Sequence, residues 1–297
     1  MSFEVARDHK AHMKRMRLSL RRRREGKTDY QQRHNLIRHN KSNYGEVKSR
    51  FVVRITSSKV ICQIIQAYSI GDKVVCAADS SELKKYGITF GLKNYSAAYA
   101  TGFLCARKML TKLGLANEYT GKEELDGEVY LEEDNEEGPK AFRCYLDLGL
   151  ARATKGAKVF SAMKGACDGG LYIPHSPSKF AGFSTEDKEL DAEALKERIF
   201  GGHVANYMRE LEESDNEAYQ ARFADYIKNG ITADSIEQKY AEAFDLIRKD
   251  TFEKTKRTTP IDRSPYQHKP RKLTNAERKE RAQAKFQLLA GEVEAEN

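Results

Sequence analysis

The sequence predicts an α/β sandwich followed by a helical domain, with a basic extension at each end. Three observations carry that prediction. Short alternating apolar runs joined by tight turns occupy residues 51–77, which is the pattern of an antiparallel meander. Apolar stripes at helical spacing then run over 94–113 and again from 186 to 250. Charge is partitioned: residues 1–50 hold fifteen Lys/Arg against five Asp/Glu, residues 51–250 hold 26 against 32, and residues 251–285 hold eleven against four. The expected boundaries are a basic arm and helix over 1–45, an α/β core over 46–185, a helical domain over 186–250 and a basic extension over 251–297.

Residues 1–20 mix cations with scattered Met and Leu and lack a strong period, so they read as an extension that orders on a partner. Arg21-Arg22-Arg23-Arg24 follows. Four adjacent guanidinium groups repel one another, and such a run suits a polyanion whose phosphate oxygens match the guanidinium fork. Gly26 allows a turn, and Thr28 with Gln31 reads as a capping box for a helix through about Asn40 that carries Arg33, His34, Arg38 and His39. Phe51–Thr56, Val60–Gln66 and Lys73–Ala77 are the three strands, turned at Ser57-Ser58-Lys59 and Ile70-Gly71-Asp72.

A brief helix is expected at Ser81–Tyr86, and a longer one from Asn94 to Leu113 with Tyr95, Tyr99, Gly102, Ala106, Met109 and Leu113 along one stripe. Gly114 stops it. Residues 117–139 are acidic and read as a solvated loop or hairpin. Phe142–Leu148 returns to strand, Gly156–Cys167 to helix and Leu171–Ile173 to strand. Three helical stripes follow: Val204, Tyr207, Met208 and Leu211; Tyr219, Phe223, Tyr226 and Ile227; and Ile236, Tyr240, Phe244 and Ile247. A Ser235/Gln238 capping box is expected to open the third. Pro260, Pro265 and Pro270 mark an extended basic linker, after which Thr274 and Glu277 open a last helix with Arg278, Lys279, Arg281 and Lys285 on one side.

Chemistry is scarce by comparison. The five cysteines, Cys62, Cys76, Cys105, Cys144 and Cys167, are far apart and sit among apolar neighbours, so buried thiols in a reducing compartment are expected. No apolar run reaches the length of a membrane span and the first residues hold no signal-peptide core, which points to the cytosol or nucleus. No phosphate-binding P-loop, dinucleotide fingerprint or zinc motif is present, and no cofactor or metal is expected. His175-Ser176 lies between Pro174 and Pro177 without a nucleophile elbow around the serine. Asp147 on a strand suggests a nuclease carboxylate, but matching acidic partners are not evident, so a capped surface position is expected instead. Of fifteen tyrosines, Tyr30, Tyr44 and Tyr95 lie near basic or loop residues and could stack on bases.

Taken together, Arg21–Tyr30 (RRRREGKTDY), Ile88–Arg107 (ITFGLKNYSAAYATGFLCAR) and Val159–Ser176 (VFSAMKGACDGGLYIPHS) resemble the eukaryotic 5S-rRNA-binding protein family of the large ribosomal subunit, universal large-subunit family eighteen. The likeness runs over nearly the whole chain. It implies a ribonuclease-H-like core without nuclease activity, and extensions that grip 5S rRNA and large-subunit rRNA at the central protuberance. By motif, the implied RNA contacts are Arg21, Arg22, Arg23, Arg24, Lys27 and Tyr30, then Arg54, Thr56, Ser57, Ser58 and Lys59. Lys93, Asn94, Arg152, Lys155, Lys158, His175 and Ser176 would supply loops. Arg33 belongs to the basic helix of the first arm, and Lys256, Arg257, Arg271, Lys272 and Arg278 to the basic C-terminal extension. The chain departs from the family pattern locally, at Ser57-Ser58 and over Ala153–Lys158. The resemblance also implies neighbouring large-subunit proteins, assembly and import factors as partners, passage through the nucleus and nucleolus, and no membrane. Two rival readings are a regulatory adaptor acting as a ribosome-free 5S particle and a metal-dependent nuclease on the same core.

Overall fold

The computed structural model describes residues 19–38, 45, 47–136, 138–252 and 271–295. Residues 1–252 form one compact unit and 253–297 a second. Arg21–Arg24 makes a single helical turn, α1, and Tyr30–Ile37 forms α2. Asp29 caps α2 by accepting from the backbone of Gln31 and Gln32, so the expected Thr28/Gln31 box is replaced by an aspartate one residue on. The helix also ends before the expected Asn40.

The meander is present as β1 (Ser49–Ile55), β2 (Val60–Tyr68) and β3 (Gly71–Asp79), each antiparallel to the next. A short 3-10 helix over Ser80–Tyr86 leads into α3 (Tyr95–Leu113). Asp79 and Glu82 exchange backbone bonds at its start in a capping box. The strand β4 (Tyr145–Asp147) then joins β1 in parallel, giving a four-stranded sheet of order β3-β2-β1-β4. It is shorter than the expected Phe142–Leu148, and the expected strand at 171–173 is reduced to a bridge between Tyr172 and Arg143.

One face of the sheet carries Phe51, Val53, Val60, Cys62 and Ile64, all buried under α3 and α4 (Lys158–Asp168). Fifteen of the nineteen residues of α3 are buried, so burial extends well beyond the expected stripe and α3 is a core helix. Its contact with α4 is backbone against backbone. A Cβ at Gly102 would run into the Ala162 carbonyl, and one at Gly165 into the Tyr99 carbonyl, so both helices need glycine there. Between them a buried ion pair of Lys164 with Asp168, 2.5 Å, is joined by the Tyr99 hydroxyl at 2.6 Å. The four cysteines Cys62, Cys105, Cys144 and Cys167 are buried, Cys76 is half-buried, and all five are free thiols.

The acidic segment 117–139 is irregular and more tied down than a solvated loop. Buried Arg107 donates to the Tyr119 and Ala116 carbonyls at 2.7 and 2.9 Å, and Tyr119 is itself buried. The helices that follow are α5 (Ala192–Phe200), α6 (Gly202–Ser214), α7 (Asn216–Arg222), α8 (Ala224–Lys228) and α9 (Ser235–Lys249). Expected as a domain of its own, this helical stretch packs into the same core as the sheet and α3: Phe244 packs edge-on against Tyr99 at 5.4 Å and Phe103 at 5.7 Å. The second stripe is broken at Phe223, where α7 stops and α8 begins. Asp234, without a side-chain cap bond, precedes α9, and Ser235 turns back to Thr232, so the expected Ser235/Gln238 box does not form. Thr274 and Glu277 do close a reciprocal box at the start of α10 (Asn275–Ala295).

Candidate nucleic-acid interface

Strand alternation puts Arg50, Val52 and Arg54 of β1 on the sheet face away from α3, beside Asp72 of β3 and Asp147 of β4. The arm α1–α2 lies over this face. Its anchor is a bidentate pair of Arg33 with Asp72, 2.6 and 2.8 Å. Asp72 also accepts from Arg50 at 2.9 Å, Arg50 donates to Asp147 at 2.7 Å, and Arg54 donates to Asp147 at 3.0 Å. Three arginines and two aspartates thus form one chain of charge-assisted bonds from the arm to β4.

The Arg33 guanidinium holds the Asp72 carboxyl below the usual aspartate range. Arg54 lies against Gly149, where a Cβ would come within 2.6 Å of its guanidinium carbon. The cavity enclosed by arm and sheet is about 260 Å³ and includes Arg22, Lys27, Arg33, Arg50 and Arg54 among its lining.

The structure divides the implied contacts into three groups. In the arm, Arg21, Arg22, Arg23, Arg24 and Lys27 are all exposed. Arg21 and Lys27 share Glu25 at 2.8 and 2.9 Å, and these bonds hold the Glu25 carboxyl low. Arg22 donates to the Thr28 hydroxyl and Arg24 to the Ser19 carbonyl. Exposed pairs of this kind are weak and exchange readily for phosphate. Tyr30 is half-buried. Arg33 and Arg54 are neutralised by aspartate, so their first role in the fold is to dock the arm.

The second group gathers around the turn after β1. Ser57 and Ser58 are exposed, and Thr56 closes the turn through its hydroxyl bond to the Lys59 carbonyl, 2.8 Å. Lys59 pairs with Asp79 at 2.8 Å. Lys93 and Asn94 line the same groove as Ser57 and Ser58, of about 1050 Å³. The third group is Arg152, Lys155 and Lys158, all exposed, with His175 and Ser176. Lys155 stands over the Phe183 ring at 5.2 Å, and Ser176 bonds Ser178 at 2.8 Å. His175 is turned inward: its Nδ1 sits 2.7 Å from the Ile173 carbonyl and its ring packs on Phe180. Burial lowers its pKa below the ordinary imidazole value.

Arg271, Lys272 and Arg278 are exposed, with Arg271 paired to Glu277 at 2.6 Å, whereas Lys256 and Arg257 lie outside the described residues, as do His39 and Tyr44. Tyr95 is buried and cannot stack on a base. Asp147 is buried too, correcting the expected surface position. Sequence reasoning missed Arg50, whose cation has no periodic signature on a strand, and also Lys84, Arg222 and Lys228, which reach the groove from elements far apart in the chain. Among the described residues no group of three or more His, Cys, Asp or Glu is placed to hold a metal, and no helix is long and apolar enough to cross a membrane.

Fold and surface together define a cationic α/β protein of the RNA-binding class. Family models agree: residues 14–176 match "Ribosomal large subunit proteins 60S L5, and 50S L18", and residues 236–291 match the "Ribosomal L18 C-terminal region". The large ribosomal subunit protein uL18 of Suberites domuncula is 51% identical over 84% of this chain and 85% of its own length. That of Lysiphlebus testaceipes is 47% identical over 99% of this chain and 100% of its own. The Saccharomyces cerevisiae protein is 46% identical over 98% and 100%. The chain belongs to the uL18 family of large-subunit ribosomal proteins, as a eukaryotic member. It is a structural component of the ribosome and not an enzyme.

Proposed function

We propose that the chain binds 5S rRNA and anchors it, with large-subunit rRNA, in the central protuberance. It would act before that as part of a 5S particle, carried with neighbouring large-subunit proteins and assembly and import factors through the nucleus and nucleolus. The ribonuclease-H-like description of the core belongs to this reading, and the sheet order β3-β2-β1-β4 with β4 parallel to β1 supports it. The observation that carries the proposal is the exposed turn Arg21–Arg24, fixed over the sheet by the chain Arg33–Asp72–Arg50–Asp147–Arg54. A cationic turn held next to a docked helix meets phosphates with less ordering cost than a free tail would.

The test is 5S rRNA binding across a salt titration with tRNA as competitor. A steep slope and a preference for 5S rRNA are expected. Each lost phosphate contact lowers the slope by about 0.7 to 0.9, so changing Arg22, Arg23 and Lys27 together to Ala is expected to lower it by about 2. A steep slope without preference would reduce the arm to a general polyanion grip and refute specific recognition.

A further inference from the structure

The groove beside the β1–β2 turn has a second wall that the family motifs do not assign. Its near side is Ser57, Ser58, Lys93 and Asn94, and its far side comes from α6, α7 and α8. Lys84, Lys93, Arg222 and Lys228 are all exposed along it, against a single carboxylate, Asp225. Among the described residues none of these four cations takes part in an ion pair. This contrasts with Arg33, Arg54 and Lys59, each of which is neutralised within the fold. Uncompensated cations in a concave site focus positive potential where a polyanion would enter.

The floor is aromatic and fixed in place. Phe90 packs on Tyr226 at 5.0 Å, Tyr226 on Phe223 at 5.3 Å, and Phe223 on Tyr207 at 5.9 Å. Asn94 donates to the Tyr226 hydroxyl at 2.8 Å. Gly91, at φ +56°, brings the loop so close that a Cβ there would meet the Tyr226 hydroxyl and come within 2.6 Å of the Asn94 amide. The Arg222 guanidinium bonds the Tyr207 hydroxyl and lies 5.8 Å from the ring centre, at the hydroxyl end of the ring, so a flat cation extends the ring's edge along the wall. The buried Nδ1 of His203, on the same wall, has no hydrogen-bond partner.

We propose that this groove is a second RNA site and takes an unpaired, looped-out rRNA segment, with Lys84, Arg222 and Lys228 as phosphate contacts and Tyr207 with Arg222 as a stacking wall. The inference rests on the reading of the chain as an rRNA binder and extends it to the helical region. The size fits that ligand class: about 1050 Å³ is at the upper end of small-ligand pockets. Unstacked bases supported by aromatic and guanidinium planes are the usual mode of single-strand recognition. An acidic protein segment would use the cations but leave the ring–guanidinium pair without a planar partner.

The probe is a short oligouridylate carrying 4-thiouridine, added to the full chain, with a duplex of equal length and poly-glutamate as competitors. The double variant Arg222→Ala/Lys228→Ala is expected to lower oligouridylate affinity about tenfold and the salt slope by about 1.4. A charge-matched double variant, Lys196→Ala/Lys249→Ala, removes two exposed cations outside the groove and is expected to stay within about twofold of the wild type. Photocrosslinking is expected to mark the peptide containing Tyr207. Unchanged binding by the groove variant, an equal loss in the control variant, or equal competition by duplex or poly-glutamate would each overturn the proposal. Failure of the wild type to prefer 5S rRNA over tRNA would instead count against the function proposed above, and the oligouridylate result would be read separately from it.

Discussion

Asp147→Ala tests whether the aspartates under the arm are structural. Asp147 is 4% exposed and accepts from Arg50 at 2.7 Å, Arg54 at 3.0 Å and the Gly149 amide at 2.9 Å. Removing it leaves the Arg50 side chain, 5% exposed, with Asp72 as its remaining carboxylate, and Asp72 is 30% exposed. Breaking a buried pair by deleting one partner costs about 3 to 5 kcal/mol. Because Asp72 still compensates Arg50 in part, the lower end, about 3 kcal/mol, is expected. That is a large share of the roughly 5 to 15 kcal/mol that holds a domain folded.

The assay is urea unfolding followed by far-ultraviolet circular dichroism, since the chain has no tryptophan to report by fluorescence. Replacing Arg50 by Met and Asp147 by Leu in the same chain removes both charges and is expected to recover most of the loss. A loss below about 1 kcal/mol for Asp147→Ala would refute the argument that this cluster holds β1, β4 and the arm together. Failure of the double replacement to recover would show that packing, not charge, set the cost.

Two further predictions concern the core and the arm. Gly165→Ala in an open helix would stabilise by about 1 kcal/mol, but here the added methyl meets the Tyr99 backbone carbonyl, which cannot swing aside. A net loss of about 2 kcal/mol is expected by thermal unfolding, and a stabilised variant would refute the close α3–α4 contact. Asp72 has a folded-state pKa held down by Arg33, so the unfolded chain binds more protons as the solution is acidified. Its contribution is therefore fully present above the ordinary aspartate range and is lost as pH falls through the lowered folded value. The stability gap between wild type and Asp72→Asn is expected to be constant above about pH 5 and to shrink below about pH 4. A gap that widened on acidification would reverse the sign of the argument.

Much of the fold is legible because its signals are local. Alternation at Phe51, Val53 and Ile55 and the tight turn at Ser57-Ser58 give a hairpin whatever lies around them. Ile236, Tyr240, Phe244 and Ile247 share a helix face by spacing, and all four are buried. Helix starts were less legible. Thr28 and Ser235 each have the right neighbours for a cap, yet Asp29 caps the first helix and Ser235 bonds backward at the other. Caps compete over one or two residues for the same amides, and the outcome follows from chain direction at the entry. α3 reads as one stripe because Ala97, Ala98 and Ala100 carry little apolar weight, although all three are fully buried.

By itself the sequence determined where charge lies along the chain, which segments alternate and which repeat at helical spacing, and which motifs mark the uL18 family. These are properties of short windows, and a window of residues contains them in full. Only the tertiary structure decided which cations are already neutralised and which stand free. Arg33 and Arg54 look the same as Arg222 in the sequence, but the first two meet Asp72 and Asp147, brought from 39 and 93 residues away. Arg222 meets a tyrosine ring on a groove whose opposite side is Ser57 and Ser58. Counter-charges act over a few ångströms, so the partner a side chain meets is set by the fold that brings distant strands and helices together.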